Sequence, residues 1–177
     1  PNVGMALGNY ANLFWERGDY QRSYELNLEV VEILEASLGK DHPAYAMALD
    51  NAGGALVSLE RYEEAEPLVV RALEIRERQL GESHPEVARS LSAVGRIANE
   101  RDQHPKAEKS FARALKIMED TVGLDHRDAL PLRIGLAVAV QGQGRGAHAR
   151  RIYEELVEVC DRDELDHAPC AEARAAL

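Results

Sequence analysis

An all-α helical-repeat solenoid is the fold class this sequence predicts, and three observations predict it. The phrase Leu38-Gly39-Lys40-Asp41-His42-Pro43 returns as Leu80-Gly81-Glu82-Ser83-His84-Pro85 and, more loosely, as Val122-Gly123-Leu124-Asp125-His126-Arg127, an interval of 42 residues from Leu38 to Leu80 and again from Leu80 to Val122. A fourth echo, Leu165-Asp166-His167-Ala168-Pro169, arrives one residue early. Between these markers apolar residues fall three or four apart, the spacing of one helical face. Glycine and proline punctuate the same places in successive units, as in an array of equivalent supersecondary units.

Taken in order, the first unit carries Gly18-Asp19-Tyr20-Gln21-Arg22-Ser23-Tyr24-Glu25 where the second carries Glu60-Arg61-Tyr62-Glu63-Glu64-Ala65-Glu66-Pro67. In the second unit a stripe of Ala46, Leu49, Ala52, Leu56 and Leu59 is broken at Glu60-Arg61. A second stripe then runs through Ala65, Leu68, Val69, Ala72, Leu73, Ile75 and Leu80. Gly81 offers a left-handed stop and Pro85 suits the first turn of the next helix. Asp41, Ser83, Asp125 and Asp166 are available as caps for the free amides there. Pro67 sits past the opening turn and should cost an intrahelical bond or bend the helix slightly. The third unit repeats the pattern in Gln103-His104-Pro105-Lys106-Ala107-Glu108 and Arg113-Ala114-Leu115-Lys116-Ile117. In the fourth, the run Ile134 to Val140 precedes Gly142-Gln143-Gly144-Arg145-Gly146, whose three glycines predict a loose turn and a frayed pair.

The map is four helix pairs, near 2–39, 43–80, 85–122 and 127–161, with a partial helix near 169–177. We read this as a single repeat domain with units at about 2–43, 44–85, 86–127 and 128–169 and a terminal piece at 170–177. The opening at Pro1, without a methionine, reads as a piece of a larger protein. Small residues keep register at Ala11, Gly53, Gly95 and Ala137 on the first helices. Ser23, Ala65, Ala107 and Ala149 do so on the second, so paired helices can approach closely. No single pair can bury both faces, so stacking must supply the core.

Composition bounds the function. The net charge of −10 over 177 residues argues against a nucleic-acid binder and against docking on an anionic membrane. No apolar run is long enough to span a bilayer. Two cysteines, Cys160 and Cys170, make no framework, so they are expected as free, buried thiols in a reduced, cytoplasmic setting rather than as a disulfide.

The phrases Arg61-Tyr62-Glu63-Glu64-Ala65-Glu66-Pro67-Leu68, Arg71-Ala72-Leu73-Glu74-Ile75-Arg76-Glu77 and Leu80-Gly81-Glu82-Ser83-His84-Pro85 resemble the tetratricopeptide repeat in its 42-residue, kinesin-light-chain-like form. The likeness covers almost the whole chain and is strongest over 44–122. It implies a right-handed superhelix of about four such helix pairs, with the first helix of each pair lining a concave groove. Relatives use that groove for extended peptides or partner helices, and bacterial ones often serve as sensors behind an effector domain.

The repeat register names the groove-facing positions as Met5, Asn9, Asn12, Trp15 and Glu16, then Met47, Asp50, Asn51 and Val57, then Arg89, Ser92, Arg96 and Asn99. Of these, Asn9, Asn12, Asn51, Arg89, Arg96 and Asn99 are the candidate peptide contacts, because Asn can bridge an extended backbone and Arg can clasp a carboxylate. Asn51, Arg89 and Arg96 would select an acidic or carboxylate-bearing partner. The resemblance adds that Asn12, Asn51 and Arg89 match places where chaperone-binding relatives grip a terminal carboxylate. Gly8 and Ala93 stand where those relatives carry Lys and Arg, which counts against that particular recognition. Trp15, the sole tryptophan, is expected to pack in the core.

Two sharper chemistries are set aside. His42, His84, His126 and His167 recur like a ligand ladder, but successive stacked helices lie about 10 Å apart and zinc needs nitrogen at about 2 Å, so these are turn residues. The glycine run after Ile134–Val140 lacks the strand–turn–helix setting and spacing of a dinucleotide loop. No catalytic constellation, metal or cofactor is expected. The function expected is a protein–protein interaction module that binds a peptide or partner helix in its groove, as the sensor or scaffold part of a larger regulatory protein. The alternative is a structural spacer or a self-association domain, docking through open solenoid ends.

Overall fold

A computed structural model describes residues 2–121, 127–162 and 167–177, without the side chains of Asn2, Met5 and Arg127. Among the described residues there are nine α-helices and no strand. They are α1 (Asn2–Glu16), α2 (Tyr20–Leu38), α3 (Pro43–Ser58), α4 (Tyr62–Leu80), α5 (Pro85–Glu100), α6 (His104–Thr121), α7 (Leu130–Gly142), α8 (Gly146–Arg162) and α9 (Ala168–Ala175). A 3-10 turn at Arg127–Ala129 leads into α7. The chain divides into two compact units, Pro1–Ala93 and Val94–Leu177, with the division inside α5.

The turns inside the pairs explain why the repeat is so regular. Their middle residues are Gly18, Glu60, Asp102 and Gly144, which share the 42-residue register, and all four stand at positive φ (78°, 58°, 55° and 76°). Glycine takes that conformation freely; Glu60 and Asp102 hold it at a cost because the turn leaves no alternative.

The turns between pairs are built by the recurring His-Pro phrase, through a different residue from the one expected. The His42 imidazole Nδ1 accepts the Ala44 N–H at 3.1 Å. His84 Nδ1 accepts the Glu86 N–H at the same distance. The histidines therefore cap α3 and α5, and Asp41 and Ser83 do not. Asp41 instead faces Arg71 at 3.6 Å and Arg78 at 2.7 Å. The expected caps Asp125 and Asp166, and the turn residue His126, lie outside the described residues. His167 precedes α9 without a side-chain cap bond. Pro67 does not interrupt α4, which continues through it to Leu80.

In the first unit α1 packs on α2, α2 on α3 and α3 on α4. Its core joins Val30 and Leu34 of α2, Tyr45, Ala46, Ala48 and Leu49 of α3, and Ala72 and Ile75 of α4. The small residues predicted at helix crossings are fully buried at Ala11 and Ala65. At Gly53 a Cβ would stand 2.6 Å from Val69 Cγ2, so only glycine fits beneath α4.

In the second unit α6 packs on α7, α7 on α8, and α9 closes against both α7 and α8. Phe111 is its largest fully buried side chain among the described residues. The ring lies between Gly95 and Gly135, where added Cβ atoms would stand 2.8 Å and 2.2 Å from it. The glycine-rich turn after α7 is tied down rather than loose. Gly144 N–H donates to Gln141 O at 2.8 Å, and Gln143 Nε2 and Arg145 Nη2 both reach back to Glu108 Oε2 on α6, at 2.8 Å and 2.5 Å. The cross-helix carboxylate supplies the order that the glycines do not.

The cysteines overturn their expectation. Cys160 near the end of α8 and Cys170 in α9 have Cα atoms 5.9 Å apart and form a disulfide. Both are fully buried. Helical periodicity alone reads each as a small hydrophobe; only the return of α9 onto α8 brings the two sulfurs together.

Candidate functional site

Two adjoining cavities open on the first unit, and asparagine is common to both. One, of about 260 Å³, is lined by Asn12 and Trp15 of α1, Ser23 and Asn27 of α2, and Asp50, Asn51 and Gly54 of α3. The other, of about 180 Å³, is lined on its polar side by Asn9, Asn12, Asn27 and Asn51 and on its apolar side by Val30, Leu34, Met47 and Ala48. Asn12, Asn27 and Asn51 belong to both, so the two form one trough along α1 and α3. Gly8 of α1 also lines it, with open space where a side chain would stand.

The floor of this trough is polar where the repeat register calls for an apolar residue. Asn27 is equivalent to Val69, Phe111 and Tyr153, all buried. It is itself only 1% exposed. Its Nδ2 donates to Ser23 O at 2.9 Å, and because that carbonyl can only accept, the amide orientation is fixed. Asn27 Oδ1 is left buried with no partner.

Asp50 stands beside it. Its Oδ2 accepts from Arg76 Nη1, while its Oδ1 is buried and has no partner. Arg76 occupies another core position, equivalent to Leu34, Met118 and Cys160, and is 3% exposed. It also donates to Ser90 Oγ and has Glu86 Oε2 at 3.7 Å. Burial pushes the Asp50 carboxyl above the usual aspartate range, and the Arg76 guanidinium only partly opposes that.

Trp15 forms one wall, against the expectation that it is a core residue. It is 40% exposed, meets Tyr20 edge-on at 5.1 Å between ring centroids, and passes over Gly54. A Cβ at Gly54 would lie in ordinary contact with the indole, 3.7 Å from Trp15 Cζ3.

The six candidate contacts do not gather in one place. Asn9, Asn12 and Asn51 line the trough of the first unit. Arg89 lines neither of its cavities and is bonded to Glu86 at 2.7 Å. Arg96 and Asn99 line a groove of about 330 Å³ in the second unit, with Ile134, Gly135 and Val138 of α7 and Pro169 and Glu172 of α9. Asn99 Nδ2 donates to Gly135 O at 2.9 Å, so it also staples α5 to α7. Met5, expected on the groove, has a side chain outside the described residues. Asn27 and Arg76 went unnoticed in the sequence, although the internal register flags each as a polar residue in an apolar column. Among the described residues no three His, Cys, Asp or Glu side chains are grouped so that they could hold a metal ion, and no described helix is long and apolar enough to cross a membrane.

Known structures share this arrangement of helix pairs. Nearly identical TPR-like repeats of a Podosopora anserina protein described as a kinesin light chain superpose with a TM-score of 0.83 at 21% identity, over 98% of this chain and 82% of that one. BtubC (BKLC) from P. vanneervenii gives 0.84 at 19% identity, over 93% and 66%. The apo form of RapI gives 0.79 at 16%, over 91% and 57%. No curated protein matches the sequence. The family model for the tetratricopeptide repeat matches residues 2–78 and 52–120, and the chain belongs to that family of protein-interaction modules.

Proposed function

We propose that the trough of the first unit holds an extended segment of a partner protein, with Asn9, Asn12 and Asn51 as its peptide contacts. One observation carries the reading: three asparagines, Asn12, Asn27 and Asn51, line both halves of a trough, one half of which is walled by Val30, Leu34, Met47 and Ala48. An asparagine amide can donate to and accept from an extended backbone at once, and Met47, 48% exposed, offers an adaptable apolar contact. Arg96 and Asn99 would serve a second contact surface on the other unit, as part of a larger regulatory or scaffold assembly. The test is a set of short peptides selected on the chain from a random display library and titrated against Trp15 fluorescence. Asn12→Ala with Asn51→Ala should weaken them about tenfold, the worth of one or two hydrogen bonds left unmade. Unchanged affinity would end the reading.

Self-association has its own observation. Val3, Tyr10 and Leu13 of α1 are exposed at 70%, 49% and 47%, an apolar face of the kind that mediates contact between chains. Solution mass rising with concentration, and falling back with Tyr10→Glu, would establish it; a constant monomer mass would remove it. The Cys160–Cys170 disulfide favours an oxidising setting over the cytoplasmic one expected from cysteine count.

A further inference from the structure

We infer that the Trp15 end of the trough is a pocket for a cationic side chain, the lysine or arginine of a partner segment. The inference rests on the groove reading above and adds the chemistry of one residue of the guest. It is the opposite of the acidic partner that Asn51, Arg89 and Arg96 suggest in the sequence.

Two of the residues that line the 260 Å³ cavity, Asn27 and Asp50, each carry an acceptor that no donor satisfies. Asn27 Oδ1 and Asp50 Oδ1 are both buried without a partner. The orientation of Asn27 is not free, since its Nδ2 is held on the Ser23 carbonyl. Two unsatisfied acceptors on residues of one cavity call for a group with several N–H donors. An ammonium has three and a guanidinium five.

Charge points the same way. Asp50 is the one ionisable residue among those lining the cavity. Arg76 does not neutralise it outright, because Arg76 lies on the Oδ2 side and divides its charge between Asp50 and Glu86. Arg89 is surface-exposed and engaged with Glu86. Asp50 therefore keeps one carboxylate oxygen, Oδ1, that no donor among the described residues occupies.

The wall supplies the third element. Trp15 is the sole tryptophan, 40% exposed, and lines the cavity beside Gly54. An indole face attracts a cation through its quadrupole, and attracts it more strongly where water is partly excluded. Carboxylate, amide carbonyl and indole together are the chemistry that recognises a basic head group. Asn12 and Asn51 at the rim would hold the backbone on either side.

The experiment uses the full chain labelled with nitrogen-15 and two head-group probes of one shape, methylguanidinium chloride and neutral N-methylurea, at matched ionic strength. We expect saturable shifts of the Trp15 indole N–H and the Asn27 side-chain amide with methylguanidinium, about tenfold tighter than with N-methylurea. Trp15→Leu, read at the Asn27 amide, should lose most of that preference while circular dichroism stays helical. Asp50→Asn should lose it as well. Equal binding of the two probes, no shift with either, or a preference that survives Trp15→Leu would overturn the inference. Because the probes have no peptide backbone, the two readings separate. Selected peptides that bind without a basic residue sink the cationic pocket alone, and a cation-selective pocket on a chain that captures no peptide sinks the groove alone.

Discussion

Arg76, 3% exposed at a core position of α4, donates into the Asp50 carboxylate of α3 and so ties the second helix of one pair to the floor of the trough. A buried arginine is tolerated only while its charge has company, and here Asp50 is its closest partner, with Ser90 and Glu86 assisting. Asp50→Ala should therefore cost about 3 kcal/mol in urea unfolding. The double change Asp50→Leu with Arg76→Met should recover most of that. If the single variant is as stable as the parent, the pair is not holding the helices.

Gly135 and Phe111 make a second such dependence. A methyl at 135 would stand 2.2 Å from the Phe111 ring of α6, which is fully buried between Gly95 of α5 and Gly135 of α7. Gly135→Ala should destabilise the second unit by about 2 kcal/mol through overpacking. Phe111→Leu in the same chain should relieve part of it, a sign that crowding rather than helix propensity is responsible. Alanine is the better helix former, so a stabilised Gly135→Ala would contradict the packing.

Acid should act on the second unit through Glu108. Hydrogen bonds from Arg145 first and Gln143 second hold its carboxyl below the usual glutamate range. A carboxyl lowered in the folded state adds stability that is present above its unfolded pKa and is lost as pH falls through the folded one. Melting temperature should decline across that acidic window, and Glu108→Gln should flatten that part of the decline. Asp50 has the opposite sign. Its raised carboxyl adds stability that is present below the unfolded aspartate range and lost as pH rises through its folded value, so it should not drive acid unfolding.

The disulfide makes a prediction about the chain terminus. Cys160 and Cys170 are ten residues apart, a short loop whose closure is worth roughly 2–3 kcal/mol by chain entropy. Non-reducing thiol titration of the folded protein should find no free cysteine. Cys170→Ser should expose α9 to proteolysis while leaving the first unit intact. Two titratable thiols in unreduced protein would contradict the pairing.

Much of the fold was legible because a constant interval constrains everything at once. The break at Glu60-Arg61 and the turn at Gly144 were read from the repeat, and the structure adds that Gly18, Glu60, Asp102 and Gly144 share positive φ in that register. Asn9, Asn12 and Asn51 were assigned to one face by the same logic, and they do share a trough. What escaped depends on contacts between helices that no local pattern encodes. Asn27 and Arg76 look like ordinary polar helix residues until each is set beside the apolar residues of the other units. Trp15 reads as core because tryptophan usually is, yet it lies 40% exposed as a wall of the trough, a placement set by contacts between helices. The His42 and His84 caps were missed because aspartate and serine, the better-known caps, stand just before them.

The central claim is that a partner segment lies along α1 and α3 of the first unit. Its most direct measurement is an amide shift map of the labelled chain with a display-selected peptide at saturation. The account predicts the largest changes in one contiguous band, at the backbone of Gly8 and Gly54 and the side-chain amides of Asn12, Asn27 and Asn51. Changes concentrated on the outer face of α1, or on the second unit alone with this band undisturbed, would contradict it.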